Sequence, residues 1–189
     1  MYRTFIIIIS TIFISNCNFY SFKGSIPAHI KSIVISPIIN NTSEYTVATL
    51  LDEKFTSMML LENILDIVKY ENADSKLDIT ITSISDKPNI FTIDNDSGYE
   101  IVNEWKIMIQ VKIKWFDLIK NIDIVNKSIT EWSTYNLGIN IGDDKIDNDL
   151  DGLIDSEDND EFGDPREFAT TVAVNKIAED VLNEIMTSW

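Results

Sequence analysis

Between Glu100 and Asp117, large side chains fall at every second position. Trp105, Ile107, Ile109, Val111, Ile113 and Trp115 alternate with Lys106, Met108, Gln110, Lys112 and Lys114. A helix would scatter that set around its circumference, whereas a strand puts all six on one face. The spacing predicts a central β-strand whose apolar face is buried, at roughly 1.5–3 kcal/mol for each fully buried side chain. It also predicts a sheet covered on one side only. Lys106, Lys112 and Lys114 then share the opposite face. They read either as a solvated row or as a cationic surface facing a phosphate-bearing ligand.

The other elements are placed around this strand. Ile33, Val34 and Ile35 form a short buried strand, ended by Pro37 and the cluster Asn40-Asn41-Thr42-Ser43. Asn41 with Glu44 has the spacing of a capping box. Val47, Leu50, Leu51, Phe55, Met58 and Met59 then recur at helical spacing. Leu65 to Val68 reads as a short extended segment. Leu77, Ile79 and Ile81 alternate with Asp78, Thr80 and Thr82 in a strand that runs on towards Ile93. Asn95 to Gly98 and Asn121 to Asp123 are turns, and Ile124 to Tyr135 is a fourth strand. Asp164-Pro165-Arg166-Glu167 opens a last helix, with Val174, Ile177, Ala178, Val181, Leu182 and Ile185 as its apolar stripe. The expected fold is an α/β two-layer sandwich of order β-α-β-β-β-α. Its sheet has about four strands, mostly antiparallel, with two helices on one face, Trp105 and Trp115 lying beneath them.

Charge is distributed unevenly along the 189 residues. From Asp143 to Glu167 there are twelve acids against Lys145 and Arg166, a net −10 of the chain's −16. The acidity therefore belongs to one segment and not to the fold, and it disfavours nucleic acid as a partner. One cysteine and one histidine exclude an internal disulfide and a Cys/His zinc site. His29, in a loop beside Pro27, reads as a surface residue, and no constellation for nucleophilic catalysis is evident.

Residues 1–16 read as a signal peptide, with Arg3 ahead of the apolar run Phe5 to Ile14. That run is shorter than the roughly 20 residues needed to span a bilayer. The sole cysteine, Cys17, follows it directly. This resembles a bacterial lipoprotein signal, although Asn16 stands where a small residue is usual. The reading makes Cys17 the site of covalent acylation and the membrane anchor, with residues 17–189 as a single mature domain. The other reading is an ordinary secretory signal with an incidental cysteine.

Cys17-Asn18-Phe19-Tyr20-Ser21-Phe22-Lys23-Gly24-Ser25-Ile26-Pro27 leads into His29 to Ile35. Asn41 to Glu44 follow, then Ala73-Asp74 ahead of a strand ending Ile81-Thr82-Ser83. With the element order, these stretches resemble the LPS-assembly lipoprotein LptE family across most of the mature chain. The resemblance implies a non-enzymatic, lipid-anchored protein on the periplasmic side of the outer membrane. Its implied partners are the LptD barrel and lipopolysaccharide. The half from Ile33 to Ile81 also resembles lipoproteins that activate peptidoglycan synthases. A regulatory lipoprotein of a periplasmic cell-wall synthase and a calcium-dependent surface or adhesion lipoprotein are the alternatives.

The acidic insertion, at about 139–163, departs from that family's pattern. Asp147, Asp149, Asp151, Gly152, Asp155 and Asp158 occupy positions 1, 3, 5, 6, 9 and 12 of a twelve-residue loop. That is the spacing of an EF-hand-type calcium loop, in which Leu153 at position 7 offers its backbone carbonyl. Calcium is the expected cofactor, held by Asp147, Asp149, Asp151, Leu153, Asp155 and Asp158. An acidic insertion without metal is the other reading.

Overall fold

A computed structural model describes residues 26–93, 98–137 and 164–187. Its elements are β1 (Ser32–Ile35), β2 (Ile39–Asn40), α1 (Tyr45–Glu62), β3 (Asp66–Ile67), β4 (Ser75–Ile93), β5 (Glu100–Asp117), β6 (Ile122–Tyr135) and α2 (Pro165–Thr187). One sheet runs in the order β3-β1-β4-β5-β6, with β2 also on β4. β1 is parallel to both β3 and β4, β2 is parallel to β4, and β4, β5 and β6 form an antiparallel meander.

The expected class holds at the level of a mixed α/β fold, with two α-helices among the described residues, but the sheet there has six strands instead of about four. The extra strands are two-residue pieces that carry no hydrophobic period. β3 lies within the extended segment Leu65 to Val68 and pairs with β1 because Asp66 and Val68 donate their N–H groups to the carbonyls of Lys31 and Ile33. β2 is held by Asn41, whose N–H bonds the Ile81 carbonyl at 3.0 Å. Parallel pairing enters the sheet here because α1 carries the chain back across it between β1 and β3.

β5 spans the alternating stretch and lies between β4 and β6. Ile107, Ile109, Val111, Ile113 and Trp115 are fully buried. They meet Val47, Leu51, Phe55 and Met59 of α1 and Val174, Ile177, Val181 and Ile185 of α2 in one core. Trp115 is 0% exposed, whereas Trp105 is only partly buried, packed against the upper margin of the core. The indole N–H of each has no hydrogen-bond partner among the described residues.

Helix α2 starts as its sequence indicates. Asp164 Oδ1 accepts the N–H groups of Arg166 and Glu167 at 2.9 and 3.2 Å. Helix α1 does not use a box of Asn41 and Glu44. Asn40 organises that turn instead: its Oδ1 accepts from the Thr42 N–H and hydroxyl, and its Nδ2 donates to the Glu44 carbonyl. Glu44 is the cap residue but makes no side-chain cap bond, because its carboxylate is engaged elsewhere. The helix ends at Asn63 in the left-handed conformation, φ 47°.

Candidate functional site

Cross-strand register puts Lys106, Lys112 and Lys114 on the sheet face away from the helices. No described element covers that face. Thr80, Lys112 and Ser128 lie side by side across β4, β5 and β6. Asp78, Lys114 and Asn126 form the neighbouring row, and Met108 stands opposite Trp132.

The three lysines are not equivalent. Lys114 Nζ is 3.1 Å from Asp123 Oδ1 and 5.3 Å from the Phe116 ring centroid, so most of its charge is answered. Lys106 Nζ sits 4.1 Å above the Trp132 ring, a cation–π contact. Lys176 of α2 reaches round the sheet edge to the same tryptophan, donating to its carbonyl at 3.2 Å. Lys112 is exposed and has no ion pair or hydrogen bond among the described residues. Flanked by the hydroxyl-bearing Thr80 and Ser128, it is free to meet an anion, whereas Lys106 is held over the Trp132 ring and Lys114 is paired with Asp123. The same face carries an aromatic patch at the exposed Trp132.

Cys17 and the calcium-loop residues Asp147, Asp149, Asp151, Leu153, Asp155 and Asp158 lie outside the described residues. Among the described residues, no cluster of three or more His, Cys, Asp or Glu could hold a metal ion. No described helix is long and apolar enough to cross a membrane.

Two polar clusters were not evident in the sequence. At the upper end, Arg166 clamps two elements. Its Nη2 is 2.6 Å from Glu44 Oε1 and 2.8 Å from Asp86 Oδ2. Tyr135 donates its hydroxyl to Asp86 at 2.8 Å. Burial, reinforced by that carboxylate, pushes the phenol up to about 12, while hydrogen bonds to Glu44 and Asp86 raise the guanidinium further above its usual value. At the lower end, His29 is not a bare surface residue. Its Nε2 lies 2.6 Å from Oδ2 of Asp117, whose side chain is 1% exposed. Asp117 also accepts the N–H groups of Ile119 and Lys120 at 2.9 Å. Burial works against the Asp117 carboxylate, but these donors outweigh it and hold its pKa below the ordinary value. Since the carboxylate stays ionised, the His29 nitrogen facing it carries the proton.

Neither a family model nor a curated protein matches the chain. Solved structures do. Protein XCC0632 from Xanthomonas campestris is similar at 7% identity and a TM-score of 0.50, covering 88% of this chain and 91% of its own. The hypothetical protein CT253 from Chlamydia trachomatis is 13% identical with a TM-score of 0.49, covering 82% and 98%. Rare lipoprotein B from Shewanella oneidensis is 13% identical with a TM-score of 0.43, covering 80% and 92%. Several of the similar structures are bacterial lipoproteins by name. At 7% identity, the likeness to XCC0632 is one of fold.

Proposed function

We propose that the chain is a non-enzymatic lipoprotein anchored through Cys17 on the periplasmic side of the outer membrane, where it partners the LptD barrel in lipopolysaccharide assembly. The observation that carries this reading is the uncovered sheet face with unpaired Lys112 between Thr80 and Ser128 and an aromatic patch at Trp132. A phosphate-bearing amphiphile needs a cation that is not already neutralised, hydroxyl donors beside it and an apolar platform. The sole cysteine behind an apolar run supports the anchor. The resemblance of the Cys17 to Pro27 stretch and of the element order to the LptE family supports the partner. In this reading Ca2+ binds the insertion through Asp147, Asp149, Asp151, Leu153, Asp155 and Asp158.

Affinity purification of the tagged mature chain from detergent-solubilised membranes tests it. Recovery of a large outer-membrane barrel is the expected result. Recovery of a periplasmic cell-wall synthase in its place would overturn the barrel partnership and favour the regulatory alternative.

A further inference from the structure

Both helices finish at the lower end of the fold, and a groove of about 300 Å³ lies between their last turns. Met58 and Glu62, one turn apart on α1, form one wall. Glu179, Leu182, Asn183 and Met186, on one stripe of α2, form the other. Leu182 is buried, Met58 is half-buried and Met186 is 39% exposed. Glu62 and Glu179 are exposed, and no cation among the described residues pairs with either. The groove is therefore apolar, with an acid on each wall. Its two thioethers adapt readily to an occupant and favour contact with aromatic rings.

The first described residues start at the same end. Ile26 packs against the core, Ile30 is buried, and His29 reaches Asp117 at the end of β5. α1 finishes there because Asp66, four residues past Glu62, pairs with Ser32 at the start of β1. α2 finishes there because Glu184 pairs with Lys127, which lies opposite Ile113 near the end of β5. Immediately ahead of Ile26, and outside the described residues, the chain reads Phe19-Tyr20-Ser21-Phe22-Lys23-Gly24-Ser25. At no more than ~3.6 Å per residue, Phe22 can lie up to ~14 Å from Ile26 and Phe19 up to ~25 Å. Packed helix axes are only about 8–10 Å apart, so the reach suffices. Three aromatic rings match the methionines, and Lys23, the cation of this stretch, matches Glu62 and Glu179. The acidic segment ahead of Asp164 matches neither, being of like charge with both walls and joined to the opposite end of α2.

We infer that the segment Phe19 to Lys23 docks into the groove between the ends of α1 and α2, its aromatic rings on Met58, Leu182 and Met186 and its ammonium group between Glu62 and Glu179. The docking goes beyond the lipopolysaccharide reading and does not depend on acylation of Cys17. With the acylation proposed above, it leaves only Asn18 between anchor and docked segment. The lower end of the fold is then held against the bilayer, and the Ile93–Glu100 end of the β4–β5 hairpin points away from it.

The test is the methionine methyl NMR spectrum of residues 17–189 carrying Cys17→Ser, which keeps acyl chains and micelles out of the sample. The internal methionines of this chain are Met58, Met59, Met108 and Met186. Replacing Phe19, Tyr20 and Phe22 together by Ser should shift the Met58 and Met186 methyl signals, which lose the ring currents of the docked segment. The signals of Met59, in the core, and Met108, on the other face of the sheet, should stay in place, which also shows that the variant is folded. Lys23→Glu should move the same two signals part of the way. Unmoved Met58 and Met186 signals in the triple variant overturn the inference. So do signals that respond only to Trp189→Ala, which would put the C-terminal indole in the groove. A response only to dilution, as for a second copy, or only to phosphatidylcholine vesicles, as for a lipid surface, overturns it as well.

Discussion

Arg166, the second residue of α2, reaches Asp86 on β4, eighty residues earlier, with Nη2 2.8 Å from Oδ2. The same guanidinium holds Glu44 at the start of α1. One side chain thereby ties both helix starts to the sheet. The clamp is partly exposed, so solvent screens part of its charge, but its geometry is forked and hydrogen-bonded on both sides. Arg166→Met should destabilise by about 1.5–3 kcal/mol, because Glu44 and Asp86 then face each other without a cation. Arg166→Lys should recover only part of the loss, since an ammonium cannot reproduce the fork. Urea unfolding of the three proteins at neutral pH measures both differences. Equal midpoints for parent and Met variant would reduce the clamp to an incidental contact.

Why Asp86 was not evident as a core-facing residue is itself physical. β4 carries a bulge: Ile81 pairs with Val111 and Ser83 with Gln110, so Thr82 is an extra residue. Before it, the odd residues Leu77, Ile79 and Ile81 face the helices. After it, the even residues Ile84 and Asp86 do, opposite Ile109 and Ile107. The only trace in the sequence is the phase change in Ile81-Thr82-Ser83-Ile84, which a strict period of two reads as the strand's polar end. β5, by contrast, keeps one phase from Trp105 to Trp115, with its one extra residue against β4, Asn103, lying before that stretch, and its limits and buried face were both legible. So was α2, where the Asp164 cap and the apolar stripe are local signals. The His29–Asp117 pair was not legible, because nothing local links residues 88 positions apart. Of the lysine row, the face was legible from parity. Which lysine lacks a partner depended on Asp123 and Trp132 in another strand.

The two tryptophans of β5 should separate on truncation. Trp115→Ala removes a fully buried side chain from under both helices and should cost ~3–5 kcal/mol. Trp105→Ala, at the half-buried margin, should cost less than half of that. Both indole N–H groups lack partners, so neither substitution sacrifices a hydrogen bond within the described residues and the difference reports packing. Equal losses in chemical denaturation would refute the ordering.

Acid should unfold the protein through Asp117 and Asp74. The Lys31 N–H is the main cause of the depressed Asp74 pKa, whereas Asp117 is lowered against the pull of burial. A depressed folded-state pKa gives stability that is present above the unfolded value, near 3.9, and is lost as pH falls through the folded one. Glu131 has the opposite sign. Burial and the neighbouring Asp180 raise it, so its contribution is present at low pH and is lost as pH rises. Asp117→Asn should therefore lower the melting temperature at pH 7 and shrink the difference between pH 7 and pH 3. Glu131→Gln should raise the melting temperature at pH 7 and do little at pH 3. Melting curves at the two pH values decide both signs.

The anchor is tested by fractionation. Cys17→Ala should move the protein from membranes to a soluble fraction, because Cys17 is the chain's sole cysteine and the sole acylation site the sequence offers. Firm membrane retention of the substituted protein would remove the lipoprotein reading.

Calcium carries the last expectation. A loop with Asp147, Asp149, Asp151, Asp155 and Asp158 at EF-hand spacing should bind with a dissociation constant of roughly 10⁻⁵ to 10⁻³ M, the range of low-affinity sensors and extracellular modules. Asp158 closes the shell with a carboxylate one methylene shorter than the usual Glu, which makes bidentate closure harder and favours the weaker end. The loop ends six positions before Asp164, the residue that caps α2 through the N–H groups of Arg166 and Glu167. Binding confined to the folded protein stabilises it by mass action, about 1.4 kcal/mol at ten times the dissociation constant. Calorimetric titration should therefore show one site per chain, and calcium should raise the melting temperature where magnesium does not, since magnesium tolerates only near-octahedral geometry and sheds its water reluctantly. Replacing Asp147 by Asn and both Asp149 and Asp151 by Ala should abolish both signals. If millimolar calcium gives no heat with the parent chain, or an unchanged signal with the triple variant, the segment is an acidic insertion that binds no metal.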